Sequence, residues 1–342
     1  MAHLDVNLCS SYDYHLPKSL IASHPISPKE SAKLLVYERA TGKITHAHFG
    51  ELFSFLPTDI SVLLNDTKVI KARVFGTKSS GGAVELLFNS PLLDDTFKVY
   101  IKGRVKVGSK LFFDKNLSAS VLALNEDGTR VVSFFQDSKK LDTQELFAIL
   151  DKIGHVPLPP YIKREDTKED ESDYQTLFAK NEGAVAAPTA SLHFSEEMFS
   201  QLQRRYETKF LTLHVGAGTF KGVESERLDA HAMHSEYFSI SDEAKRIIQS
   251  DKPLLSVGTT VTRTVEYFAR TKKAQGFCDL FLNPLNPPIR VNYLLTNFHL
   301  PRSTLIMLVA GFVGLEETLH IYRSAVEEKY RFFSYGDCML VL

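Results

Sequence analysis

Only three cysteines occur in the 342 residues, Cys9, Cys278 and Cys338, and no two lie near each other in the chain. That scatter excludes a disulfide framework, a C-x-x-C zinc ribbon and a sequence-encoded iron–sulfur site, and it predicts a reducing, cytoplasmic compartment. Long apolar runs are missing as well. No stretch approaches the ~20 apolar residues of a membrane span, and no basic-then-apolar leader opens the chain, so neither a signal peptide nor a membrane partner is expected. Neither sign of charge dominates, with 40 Lys and Arg against 41 Asp and Glu. This excludes a strongly basic nucleic-acid scaffold but allows a local basic face. The G-x-G-x-x-G spacing is also lacking. Gly216-Ala217-Gly218-Thr219-Phe220-Lys221-Gly222 follows a strand-like run, but the segment after it opens no helix, which disfavours a dehydrogenase.

What the chain does have is histidine beside small residues at the ends of apolar runs. Ala186-Ala187-Pro188-Thr189-Ala190-Ser191-Leu192-His193-Phe194 is one, and Phe210-Leu211-Thr212-Leu213-His214-Val215-Gly216 another. Leu255-Ser256-Val257-Gly258-Thr259-Thr260 and Leu294-Leu295-Thr296-Asn297-Phe298-His299-Leu300-Pro301 repeat the pattern. Short strands that break into small polar loops are how an α/β sheet brings chemistry to its edge. Four of them predict an active site assembled from several strand ends.

At about 100–200 residues per domain, two domains are expected. Between residues 69 and 135, short alternating runs recur between Gly81-Gly82 and Asp127-Gly128 turns, the pattern of a small all-β unit. Helical periodicity marks 142–153, capped by Asp142 or Thr143, then 195–206, 241–249, 261–273 and 316–330; residues 339–342 read as a final strand. The dense mixed charge of residues 163–173 reads as a surface loop with the composition of a mobile one. The fold class expected is α/β. Residues 1–68 and 154–342 form a main, barrel-like α/β catalytic domain, interrupted by an inserted β-barrel over residues 69–153.

His231-Ala232-Met233-His234-Ser235-Glu236 offers two imidazoles and a carboxylate. The i, i+3 spacing of the histidines and the absence of a nearby cysteine disfavour zinc, so proton handling or substrate binding is the better reading, beside a purely structural one. Gly216 and Gly218 would let backbone amides approach a ligand closely. Thr259 and Arg263 open a helix that suits a carboxylate or other anion, although simple capping explains the threonine equally well. Arg331-Phe332-Phe333-Ser334-Tyr335-Gly336-Asp337 sets aromatics beside an arginine, a nucleobase-stacking pattern that core packing also produces.

These segments, together with Leu64-Asn65-Asp66-Thr67-Lys68-Val69-Ile70-Lys71-Ala72-Arg73 and Pro157-Leu158-Pro159-Pro160-Tyr161-Ile162, resemble the S-adenosylmethionine:tRNA ribosyltransferase-isomerase family of queuosine biosynthesis. They run in the family's order over nearly the whole chain. Ser191 replaces a usual Gly, Ser195 a usual Thr, and residues 277–290 keep the family's Gly-rich pattern poorly. The resemblance implies transfer of the ribosyl part of S-adenosylmethionine, as co-substrate, to 7-aminomethyl-7-deazaguanine at the tRNA wobble position. Epoxyqueuosine forms, and adenine and methionine are released. It implies general acid–base chemistry with no metal and no prosthetic group.

On that basis His193, His214 and His234 are expected to move protons, with Glu236 orienting or sharing the load. Thr189, Gly216, Gly218, Thr259, Arg263, His299, Arg302, Arg331, Tyr335 and Asp337 are expected to contact substrate. Lys68, Lys71, Arg73, Lys102 and Arg104 would grip tRNA phosphates, although lysines on strands also serve simply to blunt sheet edges. A monomer is expected. Two competing readings are a metal hydrolase using His231, His234 and Glu236, and a non-catalytic RNA-binding module.

Overall fold

A computed structural model of the chain describes residues 4–220, 222–223 and 225–342. Eighteen strands are formed among them. The first four are β1 (Lys33–Glu38), β2 (Lys43–His48), β3 (Ser61–Asn65) and β4 (Thr67–Val69). Then come β5 (Arg73–Lys78), β6 (Ala83–Pro91), β7 (Phe97–Lys102), β8 (Lys110–Phe112), β9 (Leu117–Leu124), β10 (Arg130–Gln136) and β11 (Lys139–Lys140). The last seven are β12 (Asn181–Ala184), β13 (Glu207–Leu213), β14 (Glu236–Ile240), β15 (Leu254–Val257), β16 (Gln275–Cys278), β17 (Tyr293–Asn297) and β18 (Cys338–Val341).

Nine strands make one mixed sheet in the order β16-β14-β13-β3-β15-β17-β18-β1-β2. Its centre is parallel: β3 pairs parallel with β13 and β15, and β15 parallel with β17. Helices cover both faces there, so β3, β15 and β18 are buried along their whole length and read as continuous apolar runs. Strands β5 to β10 instead alternate buried and exposed positions, as in Leu117–Leu124, and close on themselves. The order β11-β10-β7-β6-β5-β8-β9 is completed by a β10–β9 pairing, giving a six-stranded antiparallel barrel with β11 appended. The expected class, α/β with a small β-barrel, is therefore what the chain adopts. The barrel core of Val74, Leu86, Phe97 and Phe134 extends to Leu146 and Leu150 of the helix Thr143–Ile153. That helix starts with a capping box: Asp142 accepts from the Glu145 amide while the Glu145 carboxylate accepts from the Asp142 amide, satisfying two N–H groups that the first turn leaves without partners.

The predicted helices are present with ends shifted by at most three residues. Ser195 caps Glu196–Arg205 and Ser241 caps Asp242–Gln249; the other two run Thr259–Thr271 and Leu315–Glu327. One helix, Thr304–Val313, escaped the periodicity reading. Its sequence TLIMLVAGFV is apolar all round and six of its residues are buried, so there is no polar face to set a 3.6-residue period. No single described helix is long and apolar enough to cross a membrane.

The charged stretch 163–173 also differs from a plain surface loop. Asp170 is 2% exposed. It receives Arg164 through two bonds of 2.6 and 2.8 Å, the Thr167 amide at 2.8 Å and the Tyr335 hydroxyl at 3.0 Å. A carboxylate buried this way is held by a bidentate arginine, which a count of charges along the sequence cannot reveal.

Candidate active site

Because β13, β3, β15 and β17 run in the same direction, Leu213, Asn65, Val257 and Asn297 end at one edge. Ligands of such sheets collect beyond the carboxyl ends of the strands. Fully buried Asn65 ties these ends together. Its Nδ2 donates to the Leu213 carbonyl at 3.0 Å and to the Thr260 hydroxyl at 3.3 Å, and its Oδ1 accepts the Thr67 and Leu213 amides, each at 3.1 Å.

A cleft opens at this edge, with Thr189, Gly258, Thr259, Asn297, His299 and Phe333 among its lining residues. Among the described residues no Asp, Glu, Lys or Arg lines it. Tyr161 and Phe333, with ring centroids 4.6 Å apart, supply an aromatic wall. Gly258 has φ +97°, a conformation that a side chain would strain, and it turns the chain from β15 directly into the helix Thr259–Thr271.

The four expected catalytic residues fall into three groups, none of them among the cleft's lining residues. His193 is 6% exposed and lies behind the cleft wall, 5.1 Å from the Phe49 ring. Burial, aided by the charges of Arg331 and Lys29, lowers its pKa to about 3. Its Nε2 is 3.2 Å from Nδ2 of Asn297, which also faces the Asp337 carbonyl. A carbonyl only accepts, so this end of Asn297 is the amino group and His193 Nε2 is an acceptor. Asn297 Oδ1 in turn accepts from the Thr189 hydroxyl at 2.8 Å, leaving the lone pairs of Thr189 for the cleft.

His214 forms the second group. Its Nδ1 is 2.8 Å from the Thr67 hydroxyl, and its ring lies over Gly183 and parallel to Tyr237, centroids 5.9 Å apart at 17°. Burial lowers its pKa, with Asp66 opposing the shift.

The third group is His234, Glu236 and Arg263. Glu236 is 4% exposed. Its Oε1 accepts the Gly216 amide at 2.9 Å, and its Oε2 receives Arg263 at 2.5 Å and lies 3.6 Å from His234 Nε2. Burial pushes the carboxyl upward, but Arg263, His234 and the Gly216 amide outweigh it and hold the pKa at about 2. The His234 ring packs against Gly218, where an added Cβ would come within 3.0 Å. Arg263 itself is buried, and also donates to the Leu280 and Cys278 carbonyls.

The remaining expected residues are dispersed. His299 lines the cleft, with Nε2 3.0 Å from the Thr296 hydroxyl, and burial lowers its pKa to about 3. Arg302 is half-exposed beside Glu226 at 3.4 Å. Asp337 accepts the Lys33 and Arg331 amides, Arg331 donates to the Tyr335 carbonyl, and the Tyr335 hydroxyl reaches Asp170. These three residues brace the turn that presents Phe333 and Ser334 to the cleft. On and beside the barrel, Lys68 pairs with Glu182, Lys71 with Glu171, and Arg73 and Lys102 with Glu85; Arg104 is exposed. Sequence reasoning gave no role to Asn65, Thr67, Asn297 or Asn89, whose Oδ1 accepts the Ala217 amide at 3.0 Å from across the barrel boundary. Such uncharged residues carry no titration signature, and their partners are distant in sequence.

Two buried neutral histidines make stability pH-dependent. With folded pKa values of about 3 for His193 and His299 against ~6.5 unfolded, the unfolded state binds more protons. Their stabilisation is complete above pH ~6.5 and is lost as pH falls toward 3, at up to ~1.4 kcal/mol per pH unit for each. Urea unfolding between about pH 7.5 and 5 is expected to show the decline, with a shallower slope for His299→Gln; a flat profile would contradict neutral burial.

A family model described as queuosine biosynthesis protein matches residues 9–341. An S-adenosylmethionine:tRNA ribosyltransferase-isomerase of Aliarcobacter butzleri is 61% identical over 339 residues, 99% of this chain and 100% of its own. One of Campylobacter concisus is 61% identical over 338 residues, 99% of each chain. The crystal structure of an S-adenosylmethionine tRNA ribosyltransferase of Thermotoga maritima superposes with a TM-score of 0.54 at 32% identity, over 97% of this chain and 100% of that one.

Proposed function

This chain belongs to the queuosine biosynthesis protein family, and from that membership we propose that it transfers and isomerises the ribosyl moiety of S-adenosylmethionine onto 7-aminomethyl-7-deazaguanine at the wobble position of tRNA. Epoxyqueuosine-tRNA forms, and adenine and methionine leave. The sulfonium acidifies the ribose C5′ protons, so a positioned base can form an ylide. Elimination of adenine, attack by the aminomethyl nitrogen of the modified nucleobase and departure of methionine on epoxide closure complete the sequence. Each step is a proton transfer, an elimination, an addition or a displacement.

The observation that carries this reading is an aromatic-walled cleft at the carboxyl ends of four parallel strands, with no charged side chain among its described lining residues; His214 is held by Thr67 and His234 lies 3.6 Å from Glu236. His234, backed by the ionised Glu236, and His214, held by Thr67, are the proton-transfer residues. His193 acts through Asn297 and Thr189 as a positioning residue, and Arg263 positions Glu236. Thr259, His299, Gly216 and Gly218 meet the substrate, and Arg302, Arg331, Tyr335 and Asp337 shape its surroundings. Lys68, Lys71, Arg73, Lys102 and Arg104 meet tRNA phosphates. Residues 69–153 act as an inserted unit on a catalytic body of 1–68 and 154–342; the protein works as a cytoplasmic monomer. The zinc reading is disfavoured because the oxygens of Glu236 are taken by Gly216 and Arg263, and the His231 ring packs on Phe281.

Incubation with S-adenosylmethionine and tRNA carrying 7-aminomethyl-7-deazaguanine should release adenine and methionine together, only with that tRNA and equally with EDTA. Loss of product with EDTA would revive the metal reading, and no product with tRNA still bound would favour a binding module.

A further inference from the structure

One face of the sheet's outer edge bears rings that the reaction does not use. Along β14, Phe238 and Ile240 point to the side where Ile247, Val265 and Phe268 of two helices bury them. The alternate residues point the other way. On that side Tyr237 is 40% and Phe277 55% exposed. The two are register partners across β14 and β16, with ring centroids 5.7 Å apart at 75°. Tyr237 then stacks on His214, so the rings form a ladder from the edge strand to a proton-transfer residue.

The ladder's surroundings indicate what it takes. On the same face lie Ser239, Gln275 and the buried Thr212, hydroxyl and amide groups rather than the aliphatic ones of a protein interface core. Exposed Lys180 lies beside Asp66 at the inner end, its amide donating to the Asp66 carbonyl, and exposed Lys273 precedes β16 at the outer end. Neither lysine has an ion-pair partner among the described residues. Of the nearby acids, Asp66 Oδ1 already accepts Thr212 and Asn181, Glu182 is paired with Lys68, and Asp279 lies past the end of β16. Exposed ring faces with a polar, cation-flanked rim match a single-stranded nucleotide, whose base stacks while its phosphate meets a lysine.

We propose that Tyr237 and Phe277 form a stacking platform for an unpaired nucleotide of the RNA substrate adjacent to the reacting base. The proposal rests on the RNA-substrate reading above. A reacting base drawn into the cleft leaves its neighbour unstacked, and the ladder offers that neighbour a surface continuous with His214.

Phe277→Ala, at a half-exposed position, tests this with the folding of the variant checked by its melting curve. KM for tRNA should rise roughly 5- to 150-fold, the cost of one lost base–aromatic stack. kcat and KM for S-adenosylmethionine should not change. Because no phosphate contact is removed, the salt slope of tRNA binding should also stay the same. Phe277→Tyr should rescue and Phe277→Leu should not. An anticodon stem-loop carrying 2-aminopurine beside the reacting base should be quenched by the wild type and not by Phe277→Ala. Unchanged tRNA KM, rescue by leucine, or a dimer that depends on Phe277 while tRNA KM stays constant would each overturn the platform. If the wild type itself releases no adenine, the functional reading fails first.

Discussion

Glu236→Ala is expected to be the most damaging single change in the molecule. The carboxylate is the counter-charge of Arg263, itself 4% exposed, and removing one partner of a buried ion pair costs ~3–5 kcal/mol because the other charge stays buried. The Gly216 amide loses its acceptor at the same time. Turnover should fall by ~10²–10⁴, the usual contribution of a positioned acid–base group, since the carboxylate that orients His234 is gone. The stability penalty has a definite pH window. The folded pKa of about 2 lies below the ~4.3 of an unfolded glutamate, so the contribution is full above ~4.3 and fades as pH falls toward 2. Pairing Glu236→Leu with Arg263→Met separates the two roles. Apolar replacement of a buried pair is often neutral for stability, so the double variant should recover much of the melting temperature and none of the adenine release. A single Glu236→Ala variant with turnover within a few-fold of wild type would remove the His234–Glu236 pair from the chemistry.

The parts of the fold visible in the sequence were those where one face is wet. The barrel strands alternate, and helices such as Glu196–Arg205 set Met198 and Leu202 against a charged face, so each has a period to read. Thr304–Val313 has none, because every side of it meets protein. The sheet order could not be read at all: β3 sits between β13 and β15, strands some 150–190 residues later in the chain, and no local pattern encodes such a pairing.

The site divides along similar lines. Imidazoles beside glycines at strand ends were legible because few roles need both a titratable ring and backbone freedom. Their grouping was not. His193, His214 and His234 look alike in sequence, yet one is a buried neutral acceptor behind Asn297, one is seated between Gly183 and Tyr237 and one is backed by a carboxylate. The Arg331–Asp337 segment carries the same lesson. It lies next to the cleft, but Phe333 and Ser334 line it while Arg331, Tyr335 and Asp337 spend their polar atoms on the chain itself. Which member of a motif faces the ligand is decided by partners contributed from elsewhere, here Asp170 and Lys33.

The second large effect is expected at a residue with no functional group. Gly183 has φ +146°, and a Cβ built there meets three atoms of the His214 ring, each at 3.0 Å. The glycine thus serves two needs, a backbone angle that side chains rarely adopt and a close approach that seats the imidazole against Thr67. Gly183→Ala should strain the backbone, push the ring aside and lengthen or tilt its 2.8 Å contact with the Thr67 hydroxyl. Misplacing a catalytic group by about 1 Å can cost ~10²-fold in rate, so kcat should fall toward that of His214→Ala while tRNA binding is nearly kept. The double variant distinguishes this from simple backbone strain. With alanine at position 214 the steric conflict disappears, so Gly183→Ala should add little further loss of kcat, a strong departure from additivity. If the two losses multiply instead, Gly183 acts through the fold and not through His214; if Gly183→Ala turns over like the wild type, the fixed seat of His214 has no part in catalysis.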